Sequence, residues 1–195
     1  MATKYIVNNV TGQTINGESI LPKYKVYTAL LTQSGGDDVQ VINSGDLTIG
    51  VTYKINVASN DGDFTNVGAP NNDGGTYFVA TGTTPNSWGT IGELKYNTGA
   101  PVVTVLENTI GNIWFTYGAN GLYLIFNSDG WDRDKLWYGV SGLGDSGQIN
   151  INPGRVIMSI EGGNPDFLIS TYNNDYTSVI NDQLKNTPIE IRVYN

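Results

Sequence analysis

Apolar residues at every second position, in short runs closed by glycine, proline or asparagine, constrain this chain more than any other feature. In Val51-Thr52-Tyr53-Lys54-Ile55-Asn56-Val57, the side chains of Val51, Tyr53, Ile55 and Val57 share one side and those of Thr52, Lys54 and Asn56 the other. That is the period of a half-buried β-strand. It returns from Pro188 to Tyr194, where Ile189, Ile191 and Val193 are expected to point inward and Glu190 and Arg192 toward water. Ile113-Trp114-Phe115-Thr116-Tyr117 and Leu122-Tyr123-Leu124-Ile125-Phe126 flank Gly118-Ala119-Asn120-Gly121, and Asn-Gly between two β-rich runs predicts a hairpin. Arg155 to Ile160 and Asp166 to Tyr172 bracket Glu161-Gly162-Gly163-Asn164-Pro165 in the same way. The one helical pattern, Thr177 to Lys185 with Val179, Ile180 and Leu184, is short and broken by asparagine, and reads as a single loose turn. With 25 Gly and 7 Pro punctuating the strands, the expected class is all-β, an antiparallel β-sandwich or jelly roll with a small β-rich inserted module.

Composition narrows the chemistry. A chain of 195 residues that is 39% hydrophobic can build a core. It has no Cys, which removes disulfides and thiolate chemistry, and no His, which removes the commonest acid–base side chain and imidazole ligand. A net charge of −8 with only 10 scattered Lys and Arg argues against a nucleic-acid partner, because neutralising phosphates takes clustered cations. Met1 to Asn9 carries no apolar leader, and no segment approaches 18 uninterrupted apolar residues, so neither export by a leader nor a membrane span is expected.

Four stretches invite a chemical reading. Asn60-Asp61-Gly62-Asp63 and Asn71-Asn72-Asp73-Gly74 offer hard oxygen atoms, but no Glu stands at the offset that a calcium loop needs, so they read as Asx and Gly turns and no metal site is expected. The run Asp129-Gly130-Trp131-Asp132-Arg133-Asp134-Lys135-Leu136-Trp137-Tyr138 mixes rings with carboxylates. There Trp131, Trp137 and Tyr138 would stack on sugar faces while Asp132 and Asp134 accept hydroxyl hydrogen bonds; otherwise the same aromatics close the end of a sandwich or fill a subunit contact, which is the favoured reading. The 18 Asp and Glu residues contain no pair whose separation or environment the sequence specifies, so no catalytic residue is assigned and no enzyme is expected. Gly139 to Gly147 lacks the Gly-Lys-Ser/Thr and following helix of a phosphate loop, and no cofactor is expected.

Two longer patterns carry a family resemblance. Asp63-Phe64-Thr65-Asn66-Val67-Gly68-Ala69 followed by Phe78-Val79-Ala80-Thr81-Gly82-Thr83-Thr84-Pro85-Asn86-Ser87-Trp88 resembles a short β module found in virion proteins of tailed bacteriophages, including crAss-like phages. Tyr24 to Gly35 resembles the opening of a second phage module, whose continuation appears here at Ala100 to Gly111 and whose closing strand appears at Ile189 to Tyr194. The first module thus looks inserted in the second, with 1–43 plus 98–195 as the outer module and 44–97 as the insert. The resemblance implies a structural virion protein, such as a head fibre, capsid-decoration or tail-associated subunit. Such a protein is made in the host cytoplasm and incorporated into the virion, its partners being other phage virion proteins and copies of itself, commonly as a homotrimer. The alternative is a receptor- or glycan-binding fibre tip that engages a host glycan through the aromatic loop.

Overall fold

The computed structural model describes residues 14–15, 18–19, 24–57, 61–90, 92–140, 155–160, 167–173 and 177–194. In chain order the strands are β1 (Thr14–Ile15), β2 (Glu18–Ser19), β3 (Tyr24–Thr32), β4 (Val39–Ile42), β5 (Thr52–Val57), β6 (Tyr77–Val79) and β7 (Glu93–Asn97). They continue as β8 (Val102–Asn108), β9 (Ile113–Ala119), β10 (Leu122–Asn127), β11 (Leu136–Val140), β12 (Arg155–Ile160), β13 (Phe167–Tyr172) and β14 (Thr187–Tyr194). Apart from the two-residue pair β1-β2, they form three four-stranded antiparallel sheets, ordered β11-β14-β3-β8, β12-β13-β10-β9 and β4-β7-β5-β6. The all-β expectation holds.

The first two sheets face each other as a sandwich. Tyr27, Ala29, Leu31, Ile189 and Ile191 from one meet Phe115, Tyr123, Ile125, Phe167 and Ile169 from the other in a single buried cluster. Each of the Leu, Ile and Phe side chains among them contributes about 1.5–3 kcal/mol by leaving water. The alternation read in β14 is realised: Ile189 and Ile191 are buried, while Glu190 and Arg192 form an ion pair on the outer face. β9 and β10 pair as a hairpin through Asn120-Gly121, with Gly121 at φ 66° where a side chain is strained. β12 pairs β13 from Arg155↔Tyr172 to Ile160↔Phe167, although their connection at 161–166 lies outside the described residues. The segment expected as a loose turn forms a bridge between Tyr172 and Val179 and sends Leu184 into the sandwich core.

The third sheet has its own core of Leu47, Tyr53, Ile55, Phe64, Phe78 and Leu94. Tyr53 and Ile55 point inward as their alternation requires; the side chain of Val57 lies outside the described residues. The chain leaves the sandwich at Gly36 and returns at Thr98, whose Oγ1 donates to the Gly36 carbonyl at 3.1 Å and whose N–H donates to the Asp38 carbonyl at 2.9 Å. β4 belongs to this sheet, pairing with β7 from Val39↔Asn97 to Ile42↔Leu94, so the sheet starts ahead of residue 44, where the motifs open the insert. A four-residue edge strand with Val39 and Val41 exposed, Gln40 half-buried and Ile42 alone packed against the core has no apolar inward stripe to announce it; β7, some fifty residues later, supplies its template.

The third sheet abuts the free edge of β9. The Phe115 N–H, which points away from β10, donates to Thr52 Oγ1 at 3.2 Å, and Asn112 Nδ2 donates to the Tyr77 carbonyl at 2.9 Å. Tyr77 stacks on Trp114 and Trp114 on Phe126, each pair 5.6 Å apart and 9° from parallel. At Gly50 the backbone meets β8, where the Val103 N–H donates to the Gly50 carbonyl at 2.9 Å. A Cβ on Gly50 would lie 2.4 Å from the Val103 carbonyl, at φ 85°, so only glycine fits. Unpaired edge groups of the sandwich are thereby satisfied from the insert.

Candidate functional site

The five residues singled out between 131 and 138 do not form one surface. Trp131 is only 6% exposed; its indole meets Phe167 edge-on at 4.9 Å and 77°, and its Nε1 donates to the Ile125 carbonyl at 3.4 Å. Tyr138 approaches the same Phe167 ring at 4.9 Å and 72°. Both belong to the sandwich core, which corrects the reading of Trp131 as a sugar-stacking face. Its large apolar ring is more stable among Phe167 and Ile125 than in water, and its one polar atom finds a carbonyl there.

Trp137 faces the other way because β11 starts at Leu136, so the two-residue period places Leu136 and Tyr138 on the inner face and Trp137 on the outer. It is 45% exposed, with the Arg192 guanidinium 4.6 Å from its ring centre and the Tyr24 ring 5.0 Å from the same cation. Asp132 caps the 3-10 turn Arg133–Lys135: its Oδ1 accepts from the Asp134 N–H at 3.3 Å, and its Oδ2 lies 3.7 Å from Lys135 Nζ. Asp134 is exposed on that turn. The aromatic-acidic run therefore separates into two core rings, one surface ring, one cap and one solvated carboxylate.

The Asp63 motif proves to be a self-contained lock. Asp63 Oδ1 accepts from the Thr65 N–H at 3.0 Å, Thr65 Oγ1 at 2.6 Å and Asn72 Nδ2 at 3.4 Å, and its Oδ2 accepts from Asn86 Nδ2 at 2.8 Å. The Thr65 hydroxyl, then Asn86, hold the carboxyl well below the usual carboxylate range. Asn66 bridges to the other half of the motif, donating to the Thr84 carbonyl and accepting from the Asn86 N–H, each at 2.9 Å. Phe64 meets Trp88 edge-on at 5.4 Å, and Trp88 Nε1 donates to the Gly45 carbonyl at 3.2 Å. A carboxylate so occupied by donors is a structural hub, in keeping with the turn reading of Asp63; Asn60 lies outside the described residues.

One feature at the module junction has no counterpart in the sequence reading. Between the third sheet and β9 lies a cleft of about 290 Å³ lined by Lys54, Lys95, Tyr77, Tyr96, Thr116 and Tyr117, among others. Lys54 and Lys95 are direct cross-strand partners in the β5-β7 ladder, and Lys54 Nζ sits 5.2 Å from the Tyr77 ring centre. Among the described residues neither lysine forms an ion pair. The only local signal, Lys54 and Lys95 on the polar side of alternating runs, cannot reveal that they meet.

No protein-family model, no curated protein and no solved structure matches the chain.

Proposed function

We propose that the chain is a structural subunit of a tailed-phage particle, a head-fibre, capsid-decoration or tail-associated protein that assembles as a homotrimer through β surfaces and is incorporated into the virion after synthesis in the host cytoplasm. The observation that supports assembly is the outer side of the β11-β14-β3-β8 sheet. Leu106 (62% exposed), Trp137 and Pro188 line an open groove of about 500 Å³ there. Beside it Val102, Val105 and Leu106 are exposed on β8, whose outer edge has no neighbouring strand in its sheet. An edge with exposed apolar side chains, free beyond the Val103 N–H that the Gly50 carbonyl accepts, is a template for pairing or burial by another chain, and Trp suits the centre of an interface. The phage assignment rests on the two motif resemblances.

Native mass spectrometry and light scattering at low and high salt test the assembly. With charged residues only 14% of the chain, the oligomer is expected to persist at high salt. The double variant Leu106→Asp/Trp137→Asp is expected to be a folded monomer. A wild-type monomer at both ionic strengths refutes the reading.

A further inference from the structure

The cleft between the third sheet and β9 combines features that a purely structural junction does not need. The chain carries 18 acidic residues against 10 basic ones, yet two of those ten stand directly opposite each other on adjacent strands and line the same cleft. Like charges in that relation destabilise a sheet, and the lining residues include no carboxylate to offset them. The nearest acid in the ladder, Glu93, stands two residues before Lys95 on the same face and accepts a hydrogen bond from Asn56 Nδ2. The Lys54 ammonium near the Tyr77 ring gains some cation–π attraction, but the facing Lys95 has no such ring contact among the described residues.

We propose that this cleft binds a carboxylated sugar, with Lys54 and Lys95 holding the carboxylate and Tyr96 and Tyr117 packing against the ring. Two ammonium groups from opposite strands suit one bridging oxyanion, since each carboxylate oxygen accepts a charge-assisted hydrogen bond. Tyr96 and Tyr117 supply apolar ring surface and Thr116 a hydroxyl, the pairing of aromatic body and polar handle that suits a sugar's C–H face and hydroxyl rim, while Tyr77, stacked on Trp114, holds the Lys54 ammonium. A volume of about 290 Å³ is at the small end of ligand pockets, so the cleft takes one sugar ring rather than a stretch of chain. The site lies apart from the groove at Leu106 and Trp137, and the inference stands whether or not the protein assembles into a particle.

Titration of the full chain with D-glucuronate, D-glucose and inorganic phosphate, followed by calorimetry and by backbone NMR shifts, tests it. Glucuronate is expected to bind saturably, shifting the amides of Lys54, Tyr77 and Lys95. Glucose and phosphate are expected to bind at least tenfold more weakly. Lys54→Gln and Lys95→Gln are each expected to weaken glucuronate at least tenfold while leaving the unliganded melting temperature unchanged or higher, because the like-charge pair is relieved. Phosphate binding as tightly as glucuronate overturns the sugar. Absence of saturable glucuronate binding up to about 10 mM, or shifts confined to other parts of the chain, overturns the site even if a variant fails to fold.

Discussion

Truncating Trp131 and Trp137 separately discriminates between the core and the surface of the aromatic run. Trp131 is 6% exposed and contacts Phe167 at 4.9 Å with its Nε1 satisfied by the Ile125 carbonyl. Trp131→Ala therefore removes a buried indole from a core that cannot fully close, at a cost of about 3–5 kcal/mol. For a chain of this length each kcal/mol moves the melting temperature by roughly 2–4 °C, so the variant should melt roughly 6–20 °C lower. Trp137 is 45% exposed and its main partner is the Arg192 guanidinium, so Trp137→Ala forfeits an exposed cation–π contact of about 0.5–1 kcal/mol and should melt within about 4 °C of the parent. Urea titration followed by circular dichroism, with calorimetry for the melting temperatures, reads both. Since an oligomer links stability to concentration, the pair is compared at one protein concentration. A Trp131→Ala variant as stable as its parent would refute the placement of Trp131 in the core and restore it as a surface ring.

Two tyrosines in the same core should respond oppositely to loss of the hydroxyl. Among the described residues the buried Tyr27 hydroxyl has no hydrogen-bond partner, so Tyr27→Phe should stabilise by about 1 kcal/mol; Tyr123, donating to Gln33 Oε1 at 2.8 Å, should lose about 1–1.5 kcal/mol as Tyr123→Phe. Equal signs in urea titrations of the two variants would contradict that assignment. The Asp63 carboxyl has its folded pKa lowered by Thr65 and Asn86, so its contribution is complete above the unfolded value of about 3.9 and is lost as pH falls through the lower folded value. Melting profiles from neutral to acidic pH should show a decline in the wild type that Asp63→Asn lacks, and identical acid limbs would remove the hub. Replacing residues 39–97 with a short Gly/Ser linker should leave a folded β-sandwich, because Gly36 and Thr98 are hydrogen-bonded neighbours and joining them costs little closure entropy. That sandwich should nonetheless melt below the parent, since the Phe115 N–H loses Thr52 and Trp114 loses Tyr77; an excised chain without β-sheet circular dichroism would show that the outer core needs the insert.

What the sequence made legible was whatever depends on a residue and its near neighbours. The alternation in Thr52–Val57 and Thr187–Tyr194 located two strands and the inward residues Tyr53, Ile55, Ile189 and Ile191, and Asn120-Gly121 located the turn between β9 and β10. Features that depend on distant pairing were hidden. Trp131 and Trp137 looked alike in a loop, and their opposite fates follow from β11 starting at Leu136 and pairing with β14 more than fifty residues later. Gln33 is buried because Tyr123, Asp182 and Leu184 converge on it from separate parts of the chain. Lys54 and Lys95 meet only through the β5-β7 register, which includes a shift between Ile55 and Val57. In β4, the β-branched residues Val39, Val41 and Ile42 were an available signal for an earlier start to the insert, masked by the exposure of Val39 and Val41 on an edge strand.

Cryo-electron reconstruction of particles assembled in cells that express this chain with its neighbouring genes tests most directly the proposal that it is a tailed-phage subunit. Density is expected for the two-sheet sandwich with its third sheet, repeated about a threefold axis, with Leu106 and Trp137 covered by a neighbouring chain. Particles that lack the chain, or that display it as an isolated copy with Leu106 and Trp137 open to solvent, would contradict it.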